Sequence, residues 1–213
     1  MSNKVIIKPI LCNCCNITLP YIINIESPNK RIGIFGDSFA ALQDEITYSK
    51  VHLNDNLWSH EFSWMYYLGM LTNSEIHSWG LSRCSETETA FLLTTCPIKY
   101  DLYIIVHTHP NRINKRIDLP KKFSFYSALK KFTENKKTMH MYWDKDHKIY
   151  EFKNGIEYCF EDVLSNHINE GDLWMVDWEP NFKKSKLDKS NGMNHLSNRG
   201  NLLLSMEINK LLA

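Results

Sequence analysis

Ser38 is the residue whose placement most directly suggests chemistry. It closes the run Arg31-Ile-Gly-Ile-Phe-Gly-Asp-Ser38, in which Ile32, Ile34 and Phe35 make a short apolar strand and Gly36 permits a tight or positive-φ turn. A hydroxyl where a strand gives way to a helix can cap that helix or attack an electrophile. A serine is too weak an acid to attack unaided near neutral pH, so a nucleophilic Ser38 needs a base and donors for the oxyanion it creates. His195, just before an apolar C-terminal segment, can take the proton and return it to the leaving group. Gly80 offers an unhindered backbone N–H, and Asn111 a neutral amide, each beyond a strand-like run. Taken singly they have plainer roles: His195 can hydrogen-bond the last helix, and Gly80 and Asn111 can simply form turns. A different chemistry is open to His107 and His109, which face the same way if they continue a strand and could bind a metal with Asp37. No further histidine or acid pair falls at a recognisable metal-ligand spacing, so the expectation is a protein without metal or other cofactor.

These residues need a scaffold that gathers them. From Lys30 onward, strand-like and helix-like segments alternate, the signature of a parallel sheet covered on both faces. The pattern predicts strands at 31–36, 75–79, 101–106 and 138–143. It predicts helices at 57–71, 85–95, 123–135 and 197–212. Ser85-Glu-Thr-Glu88 has the spacing of a capping box at a helix start. Asn154-Gly155 suggests a hairpin over 148–160, with a short helix at 161–169 and a strand at 173–178 after it. Residues 1–30, broken by Pro9, Pro20 and Pro28, suggest an irregular arm or an added edge strand. In a doubly wound sheet, ligands collect beyond the carboxyl ends of the strands, so Ser38, Gly80 and Asn111 should meet at one edge.

The chain of 213 residues, 43% of them hydrophobic, suits one α/β domain spanning 1–213. Twenty-five Lys and Arg against 24 Asp and Glu give a formal charge of +1, so no overall field favours nucleic acid or an anionic membrane. The cysteines at 12, 14, 15, 84, 96 and 159 include one cluster and no second at zinc-ligand spacing. Adjacent Cys14 and Cys15 suit a reducing compartment, and cytoplasmic residence is expected. Lys8 interrupts the first apolar run, no small-residue cleavage pattern follows it, and no window approaches the roughly 20 apolar residues of a membrane span.

In their order along residues 31–212 these blocks resemble the SGNH hydrolase family, also called GDSL-like lipases and esterases. There a strand leads to Gly-Asp-Ser, a glycine follows the second strand, Gly-x-Asn-Asp follows the third, and Asp-x-x-His precedes the last helix. The matching positions are Gly36-Asp37-Ser38, Gly80, His109-Pro-Asn111-Arg112 and His195-Leu-Ser-Asn-Arg-Gly200. The resemblance implies a three-layer α/β/α, flavodoxin-like fold with a mostly parallel central sheet. It also implies cleavage of an ester such as an O-acetyl group on a sugar or small molecule. Ser38 would attack, His195 would act as base and then acid, and the Ser38 and Gly80 N–H groups with Asn111 would hold the oxyanion. Two blocks depart from the family. His109 and Arg112 replace glycine and aspartate, which makes Thr108 the alternative donor. Gly192 stands where the imidazole-orienting aspartate should be, leaving Asp188 as the nearest upstream acid and Asp177 as a second candidate. A Ser-His pair can still work if a backbone carbonyl fixes the tautomer. The missing acid would equally suit a noncatalytic glycan-binding or interaction module on this fold. Acyl transfer would use the same groups, with another hydroxyl replacing water.

Overall fold

The computed structural model describes residues 6–11, 18–24, 27–37, 40, 63–80, 84–108, 125–142, 148, 152, 155–159 and 198–213. Among them are seven strands and four helices. The strands are β1 (Ile6–Leu11), β2 (Thr18–Asn24), β3 (Lys30–Gly36), β4 (Ser74–Gly80), β5 (Leu102–Val106), β6 (Thr138–Tyr142) and β7 (Ile156–Cys159). The helices are α1 (Trp64–Thr72), α2 (Glu86–Thr95), α3 (Phe125–Thr133) and α4 (Asn198–Leu212). The strands form one sheet in the order β1-β2-β4-β3-β5-β6-β7. β4, β3, β5, β6 and β7 run parallel, while β1 and β2 are antiparallel additions beyond β4.

The parallel centre follows from its sequence. Ile32 to Gly36 and all of Leu102–Val106 are buried, as expected of strands covered on both faces. Alternate side chains divide between two core layers. Ile32, Ile34, Ile76, Ile104 and Val106 pack with Trp64, Met65 and Leu68 of α1 and Leu204 and Ile208 of α4. On the other face Phe35, Trp79, Tyr103 and Ile105 pack with Leu92 and Leu93 of α2 and Leu129 of α3. The result is the three-layer α/β/α arrangement.

Helix ends match their local chemistry. Ser63 Oγ accepts from the Tyr66 N–H at 3.1 Å to start α1, and Asn73, left-handed at φ 46°, ends it. At the head of α2, Ser85 and Glu88 satisfy each other's backbone N–H groups in a complete capping box. Ser205 Oγ donates to the Trp64 carbonyl at 2.8 Å, tying α4 to α1.

Three sequence expectations are sharpened by the structure. The helix expected over 57–71 is described from Trp64, and 57–62 lie outside the described residues. The N-terminal arm contributes two paired strands, with a register shift between Lys8 and Ile10, where Pro9 lies. Among the described residues β7 pairs with β6, parallel to it and with Met139 opposite Ile156, while 149–151 and 153–154, where a hairpin partner was expected, lie outside the described residues. Gly155 is needed for close approach there, because a Cβ would sit 2.8 Å from Thr138 Oγ1 and 2.9 Å from His140 Cδ2. The helix expected at 161–169 and the strand at 173–178 lie outside the described residues.

Candidate active site

The ends of β3, β4 and β5 are level: Gly36 stands opposite both Gly80 and Val106. The chain therefore leaves all three strands at one carboxyl edge, where a doubly wound sheet places its ligand. Gly36 is held at φ +152°, and a Cβ there would lie 2.5 Å from the Val106 carbonyl oxygen. Only glycine suits that backbone and that gap. The next residue, Asp37, is buried, and its Oδ2 accepts from Thr108 Oγ1 at 2.9 Å. The Ala40 N–H donates to the Asp37 carbonyl at 3.0 Å, closing a bond around positions 38 and 39. The Ala40 carbonyl in turn accepts from the Ser78 hydroxyl on β4. Asp37 and Ala40 are thus each anchored to a neighbouring strand or its extension.

Of the residues expected to act, Gly80 is described and lies at that edge, level with Gly36. Ser38, Asn111, His195 and Asp188 lie outside the described residues, as do His109 and Asp177. Thr108 does not serve as a spare oxyanion donor. Its hydroxyl is given to Asp37 and its N–H to Glu86 Oε1.

Glu86, the first residue of α2, is the group that sequence reasoning missed. Its second oxygen, Oε2, meets His107 Nδ1 at 3.1 Å, and His107 Nε2 meets His140 Nδ1 at 2.9 Å. A carboxylate can only accept, which sets the direction of the chain. His107 Nδ1–H donates to Glu86, His140 Nδ1–H donates to His107, and His140 Nε2 is left as an acceptor without a partner among the described residues. The rings are sandwiched in an aromatic stack, His107 on Tyr142 at 4.5 Å and His140 on Phe152 at 3.9 Å. No pattern in the sequence marks this series, because its members are spread over three separate elements.

A carboxylate-held histidine has the form of a general base, but His107 is not placed to act as one. It is 5% exposed, and the nitrogen that would accept a proton is bonded to His140. The same bonds occupy both nitrogens it would offer to a metal. Among the described residues no three His, Cys, Asp or Glu side chains are grouped to hold an ion. Cys84 lies near the same turn, but burial first, and the carboxylates of Glu88, Asp37 and Glu86 besides, push its thiol up to about 12. It is not a competing nucleophile.

His140 gives this region a measurable pH dependence. Burial first, and the neighbouring His107 second, push its pKa down from 6.5 to about 2. A depressed histidine favours folding fully above its unfolded pKa, and that contribution is lost as pH falls from 6.5 toward the folded value. Urea unfolding between pH 6 and pH 4.5 should therefore lose about 1.4 kcal/mol per pH unit through this group alone. His140→Gln should make that slope shallower by about one proton. An unchanged slope would mean that His140 does not titrate as its burial requires.

No family model matches the sequence, and no curated protein matches it either. Solved structures do. A protein assigned to the lipolytic G-D-S-L family from Desulfitobacterium hafniense is 18% identical with a TM-score of 0.52, over 86% of this chain and 99% of its own. A second member of the lipolytic G-D-S-L family, from Veillonella parvula, is 12% identical with a TM-score of 0.51, over 85% of this chain and 97% of its own. At such identities the likeness establishes the fold: this is the α/β/α architecture of the G-D-S-L lipolytic proteins, as the ordered sequence blocks imply. Among the described residues no helix is long and apolar enough to cross a membrane.

Proposed function

We propose that this protein is a serine-dependent esterase that removes acetyl or another short acyl group from a glycan or small-molecule ester. The reading is supported above all by the anchored Gly36-Asp37…Ala40 turn around Ser38, at the sheet edge shared with Gly80. In this scheme Ser38 Oγ attacks the ester carbonyl as His195 takes its proton. The Ser38 and Gly80 N–H groups and the Asn111 amide receive the charge that develops on the carbonyl oxygen. His195 then protonates the departing alkoxide, and water, activated by the same imidazole, releases the acyl group. Asp188 orients His195.

The test is labelling of the full chain with a serine-directed fluorophosphonate, alongside hydrolysis of p-nitrophenyl acetate, each with and without a chelator. We expect one label per chain, on the peptide that contains Ser38, and no effect of chelator on either readout. Hydrolysis without labelling that a chelator abolishes would replace the serine mechanism by a metal-dependent one using His109 and neighbouring groups. Neither labelling nor hydrolysis would leave a noncatalytic binding module.

A further inference from the structure

Glu86 divides its two carboxylate oxygens between different tasks. Oε1 accepts from the Thr108 N–H, and Thr108 passes its hydroxyl on to Asp37 Oδ2 at 2.9 Å. Oε2 accepts from His107 Nδ1 at 3.1 Å and so heads the branch that ends at His140. One side chain on α2 thereby joins the segment leaving β5 to the turn leaving β3. Glu86, Thr108, Asp37 and His107 are all buried, so water does not readily substitute for a lost partner. We propose that Glu86 is a positioning residue for the turn that bears Ser38, acting through Thr108 and Asp37. The proposal rests on the esterase reading for its effect on turnover, but its physical content is the placement of that turn.

The two branches can be separated by substitution. Glu86→Gln keeps an oxygen to accept from the Thr108 N–H, but presents an NH2 group to His107 and reverses the direction of the histidine chain. Glu86→Ala removes both branches. Thr108→Val keeps the N–H bonded to Glu86 and removes only the hydroxyl held by Asp37. If the Thr108 branch places the turn, Glu86→Ala and Thr108→Val should each lower kcat about tenfold or more with little change in KM. The double variant should be no worse than the poorer single, because the two act in series. Glu86→Gln should stay within about threefold of wild type in kcat, even where reversal of the histidine chain lowers its unfolding midpoint.

A second readout does not depend on catalysis. The Ala40 amide is bonded across the turn to Asp37, and its hydrogen exchange should quicken about tenfold in Glu86→Ala and Thr108→Val but not in Glu86→Gln. Unchanged Ala40 exchange in Glu86→Ala and Thr108→Val would overturn the proposal, as would losses in kcat that follow thermal stability across all three variants. If wild type shows neither hydrolysis nor labelling, the esterase reading falls, and the exchange experiment still decides whether Glu86 places the turn.

Discussion

Ser38→Ala should reduce hydrolysis of a short acyl ester by about 10⁴-fold in kcat, with residual activity from the oxyanion donors and binding alone. The loss arises because, among the described residues, no other group at the edge can replace the hydroxyl. Cys84 is held as a thiol by burial, and the Thr108 hydroxyl is committed to Asp37. His195→Ala should cost a similar factor, and the double variant little more, since nucleophile and base act as one unit. Asp188→Asn should cost less than either, because a Ser-His pair retains part of its function when another acceptor fixes the tautomer. Single-turnover release of p-nitrophenol, measured with each purified variant, checks all three. A Ser38→Ala protein that keeps more than about a tenth of wild-type activity would end the serine mechanism.

Gly36→Ala should be the most damaging single substitution for stability among the residues around the site. The residue combines φ +152° with a Cβ position 2.5 Å from the Val106 carbonyl oxygen and 2.8 Å from Val106 Cβ. Both obstacles belong to a central strand rather than to a flexible side chain, so relief requires β3 and β5 to part. Backbone strain and overpacking together amount to roughly 3 to 5 kcal/mol. In a chain of this size that corresponds to a fall on the order of 10 °C in unfolding temperature, readable by circular dichroism. A stable Gly36→Ala protein with full esterase activity would show that the turn does not need this backbone.

The architecture was legible wherever one stretch of sequence contains its own explanation. Ile32, Ile34 and Phe35 declare a buried strand, and Ser85 with Glu88 announces the start of α2. Both signals are local, and periodicity and capping chemistry read them directly. The pairing of β7 was not legible. Asn154-Gly155 marks a turn, but a turn signal does not say whether the following strand folds back or joins a different neighbour. Gly155 is explained here by the closeness of Thr138 and His140, both remote in sequence. The Glu86-His107-His140 series was hidden for the same reason. Glu86 reads as an ordinary acid in the first turn of a helix, and His140 as one residue of an apolar strand. Only the adjacency of β5 and β6 brings them into a chain.

The N-terminal pair β1 and β2 has a consequence for what this sheet can do with its neighbours in solution. An exposed strand edge is a template on which other chains can polymerise. Without the pair, the rim of the parallel sheet would be β4, a seven-residue strand running the full length of β3. With it, the rim becomes β1, where the register slips between Lys8 and Ile10 and Pro9 has no N–H to donate. At the opposite rim of the described strands, β7 offers only four residues. Among the described strands, an incoming chain thus meets a broken ladder at one rim and a short one at the other, two chain terminators that discourage fibril growth.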